Sequence, residues 1–479
     1  MEEELIRRLV WSVDPQIAIP PEDGLMNAFV DFKPADMESV EELLRQDSRP
    51  VPAPLLEHRP STLGTADVAN VVYTSQEIHD QEVEKLWKKV WQWACRLEEI
   101  PNVGDHVVYD VAHLSVIVVR VAPGNEPGSV RAFHNVCLHR GTQLRVADGN
   151  VPQFRCPFHG WTWNLDGTLD WISCAWDFPQ VDEEKFSLPE VRLDFWEGFV
   201  FINFDLECEP LLDYLENLPS HFEHFSLEDR FIAIHVERVM PANWKVTMGA
   251  FIEAYHTVVT HPQILPYTGD ANTQYDIYDR HSRMITPFAV ASPHIGGRNY
   301  EQVEILKTIR SYRGGQVDDL VLPEGDRARS HAAEDARLRI GAIAGADLSN
   351  VCDSLMVDAV EYFVFPNFMP WAAYGSPIQY RFRPNGDDVN STIMTVMMLM
   401  PFSGERPPAA KVHKIPADRP WSDAPELGGL AAIFEQDTSN LYRVQKGLRA
   451  SPKTTVTLGE YQEARIRHFH QNIDAYLAK

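Results

Sequence analysis

The sequence predicts an α+β protein that combines a small all-β domain with a larger domain of helices and antiparallel strands. Between residue 104 and about 205, short β-branched and aromatic runs alternate with Gly, Pro, Asn and Asp turns, which is typical of a small all-β domain. After residue 206 helical and strand-like runs are mixed, among them YFVFPNF, STIMTVMMLM and helical stretches near 430–449 and 459–477. No segment of 20–50 residues repeats along the chain, so the sequence does not predict a solenoid or a propeller.

The composition is that of a large acidic chain with a substantial core. At roughly 150 residues per domain, the 479 residues leave room for about three domains. The hydrophobic content of 44% is compatible with a large packed core. The 43 Lys and Arg against 69 Asp and Glu give a net charge of −26, which argues against nucleic acid or an anionic membrane as a partner.

The N-terminal segment and the cysteines indicate the compartment. MEEELIRRLVWSVDP lacks the basic and then apolar segments of a secretory signal, and no run of 18 uncharged apolar residues predicts a membrane span. Six cysteines spread over this length do not form a disulfide framework, and cysteines near histidines in such a chain favour metal binding. We therefore expect a cytoplasmic protein.

Three regions follow from these patterns. Residues 1–68 are acidic and interrupted by prolines, and predict an N-terminal arm with a short helix near 36–46. Residues 69–205 would form the all-β domain and residues 206–479 the larger domain. The stretch 75–100 has helical periodicity, with Ser75 as the expected N-cap.

Two short Cys/His motifs give the strongest chemical signal. Cys137-Leu-His139 is followed by Cys156-Pro-Phe-His159, and a glycine comes soon after each motif. Two Cys and two His could bind zinc, but zinc sites usually pair Cys with Cys and His with His. The order found here suits a Rieske 2Fe–2S cluster, in which two Cys bind one iron and two His the other. The predicted chemistry is one-electron transfer, with zinc as the alternative.

A second motif, NWKVTMGAFIEAYHTVVTHPQ at 243–263, predicts a mononuclear iron site. Glu253 and His256 are three residues apart and would share a helix face. His261 lies five residues further on, about 140° around an ideal helix, so the helix must end or bend between the histidines. Pro262 gives a reason, because the residue before proline avoids the helical region. Two imidazoles and a carboxylate form the facial triad of Fe(II) oxygenases.

CLHRG at 137–141 and CPFHGWTWNLDGTL at 156–169 resemble the Rieske domain of ring-hydroxylating non-haem iron oxygenases, large (alpha) subunit. Rieske proteins of respiratory complexes carry two extra cysteines, and Thr142 and Phe158 stand at the corresponding positions here. The resemblance implies a helix-grip, START-like fold for the larger domain.

The resemblance also implies roles for the second motif. The family pattern is roughly D/E-x-Y-H-x4-H, and Glu253, Tyr255, His256 and His261 match it. His256 and His261 would be iron ligands. Glu253 would link the iron site to a Rieske histidine, His159, of a neighbouring subunit. Many relatives have Glu-Asn where this chain has Gly249-Ala250, so support for the site differs on this segment.

The third iron ligand is expected to be a carboxylate far along the chain. FEQDTSNLYRVQKGL at 434–448 resembles the family's late acidic motif, and we choose Asp437, with Glu435 as the local alternative and Asp353 or Asp358 as distant ones. His221 and His224 lack a carboxylate partner in sequence, and we interpret them as surface or interface histidines.

The predicted partners follow from what the chain lacks. No G-x-G-x-x-G fingerprint follows a predicted strand, so NAD(P)H would act indirectly, through a flavin reductase with or without a ferredoxin. Transfer of electrons between subunits, which the resemblance implies, requires a cyclic trimer, either a homotrimer or an alpha3beta3 assembly with a small subunit. The other partners would be O₂ and a small apolar substrate.

The sequence leaves three functions open. The main prediction is a terminal oxygenase that hydroxylates an aromatic compound, with cis-dihydroxylation as the expected reaction. The second is a Rieske monooxygenase that demethylates or hydroxylates a methoxy-aromatic, a steroid or an alkylamine. The third is not an enzyme but a Rieske electron carrier fused to a binding domain, which would need the second metal site to be absent.

Overall fold

A computed structural model describes residues 29–182, 184–312, 317 and 320–479. The first 28 residues of the predicted arm lie outside this part of the chain. The described residues fall into two compact units. The smaller unit contains 76–216, 383–388 and 476–479, and the larger unit contains the rest. These two units are defined by how closely their residues pack, which is not a test of the domain boundaries predicted at residues 68 and 205. Those boundaries remain predictions.

The smaller unit is built on antiparallel strands, as the turn-rich pattern after residue 104 predicts. Its main sheet has the described strands in the order Gln92–Arg96, Phe199–Asn203, Glu190–Trp196, Val130–His134, Leu114–Arg120, Asp105–Val111 and Gly149–Asn150. A second small sheet joins Phe154–Arg155, Thr162–Trp163 and Leu169–Trp171. A core of aromatic and aliphatic side chains lies between these two sheets and includes Cys137 and Cys156.

The helix predicted over 75–100 is only partly correct. An α-helix covers Gln76–Glu82 and a π-helical turn covers Val83–Trp87, after which the chain becomes the strand Gln92–Arg96. Every residue of that strand is buried. A strand buried on both faces shows no alternation, so its apolar run cannot be told from a buried helix by periodicity.

The larger unit contains the longest of the described strands, Arg230–Met240 and Thr392–Pro401, and the long helices. One of its described sheets has the strands in the order Phe368–Pro370, Ile378–Pro384, Thr392–Pro401, Arg230–Met240 and His413–Ile415. A second sheet has the order Gln274–Ile277, Ser282–Thr286 and Ala359–Phe363, and Val68–Ala69 pairs with Thr455–Val456. The pairing of Arg230–Met240 with His413–Ile415 is parallel, whereas Arg230–Met240 pairs antiparallel with Thr392–Pro401, and Ser282–Thr286 pairs antiparallel with both of its neighbours.

The helices of the larger unit include the two predicted near the C-terminus. The described α-helices of this unit are Val40–Arg45, Leu218–Phe222, Trp244–Gly249, Thr257–Thr260, Gln302–Tyr312, Ala328–Ala344, Asp353–Val357, Leu430–Ala450 and Ala464–Leu477. In the smaller unit they are Gln76–Glu82 and Leu211–Tyr214. The predicted α+β class, with an all-β part and a part of helices and antiparallel strands, is confirmed. None of the described helices combines the length and the apolar character needed to cross a membrane.

The described part of the N-terminal arm packs into the larger unit through buried polar contacts. The Ser48 hydroxyl donates to Asp353 at 2.8 Å. The backbone N–H of Arg59 donates to Asp276 at 2.6 Å, and Asp276 also accepts from the buried guanidinium of Arg283 at 2.7 Å. Since Asp276 and Arg283 are 0% exposed, the arm completes a buried polar network rather than lying on the surface.

Candidate metal centres

The two Cys/His motifs form loops with the same backbone geometry. The N–H of Gly141 donates to the carbonyl of Cys137 at 2.9 Å, and the N–H of Gly160 donates to the carbonyl of Cys156 at 3.1 Å. Both glycines have φ of +79°, a left-handed conformation that residues with a side chain rarely adopt. Each loop thereby turns sharply at the glycine that follows its His.

The side chains of these loops converge on one place. The ring centroids of His139 and His159 are 4.6 Å apart, and His139 stacks on Trp161 at 4.9 Å with an interplanar angle of 4°. The thiols of Cys137 and Cys156 interact directly, and both residues are 2% exposed. His139 and His159 are partly exposed, whereas the two cysteines are buried, so the histidines lie on the solvent side of the loops.

The donor atoms fit a Rieske cluster. The Nδ1 atoms of His139 and His159 are buried and have no hydrogen-bond partner. A buried polar atom without a partner costs free energy, so two such atoms next to two facing thiols indicate a group that binds them. Burial raises the pKa of Cys137, whereas for Cys156 the effect of burial is outweighed by the backbone N–H groups of Phe158 and His159, and its pKa is lowered. Those N–H groups stabilise a thiolate at Cys156.

The second motif is not one helix. A helix covers Trp244–Gly249, residues 250–256 form an irregular turn, and a second helix covers Thr257–Thr260. The prediction that Glu253 and His256 share a helix face is therefore wrong. They meet because the Glu253 carboxylate accepts from the backbone N–H of His256 at 3.0 Å and closes the turn.

The predicted break before Pro262 is present. The second helix ends at Thr260, and His261 has φ of −124° and ψ of 51°, outside the helical region. Its ring centroid lies 5.2 Å from that of His256. The restriction that proline imposes on the preceding residue thus turns the second imidazole towards the first.

His256, His261 and Asp437 converge on a single point. Asp437 Oδ1 lies 3.6 Å from His256 Nε2 and 2.9 Å from His261 Nε2. The possible ligand atoms of all three residues lie within 4.8 Å of one another. Asp437 comes from the helix Leu430–Ala450 and is 5% exposed, so a carboxylate distant in sequence is buried against two imidazoles. This donor set fits an Fe(II) of the facial-triad type.

The far nitrogen of each imidazole is bound by a different acceptor. His256 Nδ1 lies 2.6 Å from Glu253 Oε1, and His261 Nδ1 lies 2.9 Å from Gln436 Oε1. A proton held at Nδ1 leaves Nε2 with its lone pair, which is the state that binds a metal. Both imidazoles are therefore oriented with Nε2 towards Asp437.

The local charge favours a cation at this point. Burial lowers the pKa of His256, but the carboxylates of Glu253 and Asp437 raise it more, to about 9. Acids that stabilise a protonated imidazole also stabilise a divalent cation placed between the same groups.

The other predicted candidates lie elsewhere. Glu435 accepts from the backbone N–H of Trp421 at 3.1 Å. Asp353 pairs with Arg337, and Asp358 accepts from Arg329 at 2.6 Å. The interpretation of His221 as a surface residue is wrong, since it is 2% exposed and its Nδ1 lies 3.1 Å from the Tyr362 hydroxyl.

Two side chains stabilise the turn that carries Glu253, one on the helix Ala464–Leu477 and one on the strand Gln274–Ile277. The Arg465 guanidinium donates to the carbonyl of Ile252 at 3.3 Å and to Glu361 at 2.9 Å. The backbone N–H of Ala254 donates to the Tyr275 hydroxyl at 3.0 Å. An irregular turn without these partners would leave buried backbone groups unsatisfied.

Aromatic side chains pack next to the three converging residues. Phe251 lies 5.2 Å from both Tyr380 and Phe382, and Phe434 lies 6.1 Å from Tyr380, between ring centroids. Phe251 is two residues before Glu253, and Phe434 is one helical turn before Asp437. We call these four residues the aromatic cluster.

Family models match both parts of the chain. Residues 219–479 match the model described as "Ring hydroxylating alpha subunit (catalytic domain)", and residues 90–182 match the Rieske 2Fe–2S domain. The first match covers more than half of the chain. The chain belongs to the ring-hydroxylating alpha subunit family. The cofactors of this family, a Rieske 2Fe–2S cluster and a mononuclear non-haem iron, are therefore those of this member, as predicted.

Curated relatives of this alpha subunit include monooxygenases and a dioxygenase. A carnitine monooxygenase oxygenase subunit of Escherichia coli K12 is 33% identical over 40% of this chain and 50% of its own length. A glycine betaine monooxygenase oxygenase subunit of Pseudomonas aeruginosa is 31% identical over 40% and 44%, and the anthranilate 1,2-dioxygenase large subunit of Acinetobacter baylyi is 29% identical over 43% and 44%. The chain thus spans about half the length of the curated relatives that it matches.

Solved structures share the fold of this alpha subunit. A quaternary ammonium Rieske monooxygenase in complex with L-carnitine has a TM-score of 0.60 at 18% identity, over 88% of this chain and 99% of that one. A naphthalene 1,2-dioxygenase variant bound to phenanthrene has a TM-score of 0.61 at 19% identity, over 88% and 94%. At these identities the likeness is one of fold.

The relatives favour the monooxygenase alternative over the aromatic dihydroxylation that the sequence predicted as the main reaction. They do not alter the predicted residues of the alpha subunit, and the structure brings Glu253, His256, His261 and Asp437 together. The sequence missed Gln436, Gln263 and the aromatic cluster. The available signal for the two glutamines was their position, one residue before Asp437 and two after His261.

Proposed function

We propose that this alpha subunit is the oxygenase component of a Rieske monooxygenase system. The observation that carries the proposal is the convergence of two imidazoles and a carboxylate, each imidazole with its Nδ1 bound by an acceptor. This arrangement supports a mononuclear iron with open positions and does not fit an electron carrier, which has no use for a second centre.

We assign the cluster to the two matching loops. Cys137 and Cys156 would bind one iron, and the Nδ1 atoms of His139 and His159 the other. The two histidines lie on the exposed side of the loops, where an electron donor can approach. A flavin reductase, with or without a ferredoxin, would deliver the electrons one at a time.

We assign the mononuclear iron to His256, His261 and Asp437. When bound, this iron supplies O₂ activation for insertion of one oxygen atom into a substrate C–H bond. Glu253 orients His256 and would accept a hydrogen bond from His159 of a neighbouring subunit in a trimer. The aromatic cluster would exclude water and hold the substrate.

We propose an alkylamine, in particular a quaternary ammonium compound, as the substrate class. The carnitine and glycine betaine monooxygenase subunits among the relatives support this choice. The faces of aromatic rings such as Phe251, Tyr380 and Phe434 attract quaternary ammonium groups by cation–π interaction. Hydroxylation at a carbon next to nitrogen would release an aldehyde and the shortened amine.

Aromatic dihydroxylation is the second candidate. The relative from Acinetobacter baylyi is an aromatic-acid dioxygenase subunit, and the aromatic cluster would also accept a planar apolar ring. Both reactions would use the same metal ligands, so the ligands alone do not distinguish them.

Labelling with ¹⁸O₂ distinguishes the two candidates. The holoenzyme, supplied with a surrogate reductase and ferredoxin, is incubated with quaternary ammonium compounds, tertiary amines and monocyclic aromatic acids, and the products are analysed by mass spectrometry. We expect one labelled oxygen in the aldehyde released from an amine, which is reduced to the alcohol as it forms so that its oxygen does not exchange with solvent, and the second labelled atom in water. Two labelled oxygens in one aromatic product would replace the proposal with a dioxygenase. The Asp437→Ala variant serves as the control, because a product that it still forms does not come from this site.

A further inference from the structure

The side chain of Gln436 lies behind the iron ligand His261. Gln436 Oε1 lies 2.9 Å from His261 Nδ1 and 2.8 Å from Gln263 Nε2. A weaker contact of 3.4 Å joins Gln436 Nε2 to Gln263 Oε1, so the two amides face each other. His261 and Gln263 stand on either side of Pro262, and Gln436 stands next to Asp437 on the facing helix.

The chemistry of an amide oxygen decides the state of the imidazole. An amide oxygen can only accept, so a neutral His261 must carry its proton at Nδ1 and present a bare Nε2. Nε2 then points to Asp437 Oδ1 at 2.9 Å. If the Gln436 amide were reversed, its NH₂ group would face Nδ1 and favour the tautomer with the proton on Nε2, which cannot bind a metal.

We propose that Gln436 is a positioning residue that fixes the metal-binding tautomer of His261, and that Gln263 holds the Gln436 amide in the required orientation. Gln263 donates to the same oxygen that accepts from His261, and a Gln436 amide that reversed by itself would lose that hydrogen bond, so both amides would have to reverse together. The inference rests on the proposed assignment of His261 and Asp437 as iron ligands.

The two imidazoles are thereby held by unlike partners. His256 Nδ1 faces the carboxylate of Glu253, whereas His261 Nδ1 faces a neutral amide. A charged acceptor makes the imidazole a stronger donor to the metal than a neutral one does. With iron bound, His261 would be the weaker of the two nitrogen donors, and Gln436→Glu would make the two partners alike.

The test measures Fe(II) affinity and the environment of the iron, not turnover. Fe(II) dissociation constants are determined by competition with a chelator for the wild type, Gln436→Leu, Gln436→Glu, Gln263→Leu and the double Leu variant. Electron paramagnetic resonance of the Fe(II)–nitric oxide complex reports on the ligand field. Gln471→Leu is the matched control, since Gln471 is an exposed glutamine on the helix Ala464–Leu477. Circular dichroism and thermal unfolding of each apo variant, compared with those of the wild type, check that the larger unit is folded.

We expect Gln436→Leu to lose between about 10-fold and 100-fold in Fe(II) affinity, the range found when a partner of a metal-bound histidine is removed. Gln436→Glu keeps an acceptor and adds a charge, so it should bind Fe(II) at least as tightly as the wild type, with a changed nitric oxide spectrum. Gln263→Leu should lose less than Gln436→Leu, and the double variant should bind like Gln436→Leu alone, because Gln263 acts through Gln436.

Two results would overturn the inference. Wild-type affinity in Gln436→Leu would show that the amide does not set the tautomer. An equal loss in Gln436→Glu and Gln436→Leu would show that the residue acts by packing alone. The proposed function is tested apart from this inference by the iron content of His261→Ala and Asp437→Ala. It is wrong if these variants keep three irons per chain, two in the cluster and one in the mononuclear site. If those two variants fall to two irons while Gln436→Leu is unaffected, the site stands and only the role of Gln436 is wrong.

Discussion

At the scale of single residues, the Glu253 carboxylate both closes the backbone turn and orients the His256 imidazole. One oxygen accepts from the backbone N–H of His256 and shapes the turn, while the other accepts from His256 Nδ1 at 2.6 Å. The residue is 8% exposed, so these bonds are little weakened by water. A substitution that removes the charge but keeps an acceptor therefore separates folding from electron transfer.

We expect Glu253→Gln to keep both metal centres and to lose at least about 100-fold in turnover, because the neutral amide can orient His256 but does not provide the charged link to the neighbouring cluster. Iron and sulfide analysis and steady-state rates check the two parts of this prediction. Glu460→Gln, the same change at an exposed position, is the control. Turnover like that of the wild type in Glu253→Gln would show that the link does not need the charge.

At the scale of secondary structure, the C-terminal helix Ala464–Leu477 supports the iron site through residues that sequence patterns do not reveal. Arg465 fixes the carbonyl before Glu253. One turn and a half later, His470 is 4% exposed and its Nε2 lies 2.7 Å from the Tyr73 hydroxyl. Burial and the nearby Lys245 lower the pKa of His470 to about 3.

The lowered pKa predicts a pH-dependent stability. Below pH 6.5 an unfolded chain protonates His470 and the folded chain does not, so the free energy of unfolding decreases as the pH falls from 6.5 towards 3. The contribution of this residue is at most about 1.4 kcal/mol per pH unit. Urea denaturation at pH 7.5, 6 and 5 should show a smaller decrease for His470→Gln than for the wild type. The exposed His58→Gln should follow the wild type, and parallel curves for all three proteins would contradict the prediction.

Short-range patterns in the sequence predicted some of these elements and missed others. The spacing of Cys137, His139, Cys156 and His159 and the strands of 104–205 could be predicted, because short-range patterns encode tight loops and alternating strands. The helix over 75–100 could not, because full burial removes the alternation that identifies a strand. Contacts such as those of Gln436 and Arg465 depend on how distant elements pack, and no local pattern in one sequence contains that information.

At the scale of the whole molecule, the predicted trimer makes two inactive variants complementary. The resemblance implies that electrons pass from the cluster of one subunit to the iron of the next. A chain without a working cluster and a chain without iron should then restore each other when they share an oligomer, since each still supplies the centre that the other lacks.

We expect oligomers that contain both His159→Ala and Asp437→Ala chains to regain turnover that neither variant shows alone. The two chains are co-expressed with different affinity tags, and the mixed species is purified on both. Mixed oligomers of the wild type with the double variant are the control, because transfer between subunits predicts no activity in a trimer with one intact chain and one working cluster–iron pair in a trimer with two. If the mixed single variants stay inactive although both metal centres are present, electrons pass within one chain.

The iron ligands come from parts of the chain that are far apart. His256 and His261 flank the short helix Thr257–Thr260, whereas Asp437 lies on the helix Leu430–Ala450, far along the chain. A bound ion that joins them is a crosslink that closes a long loop, and it stabilises the folded state by an amount that rises with the logarithm of the free iron concentration once that exceeds Kd. Cells short of iron would therefore contain a protein that proteases degrade faster, and the amount of this oxygenase would follow the iron supply without any change in its transcription.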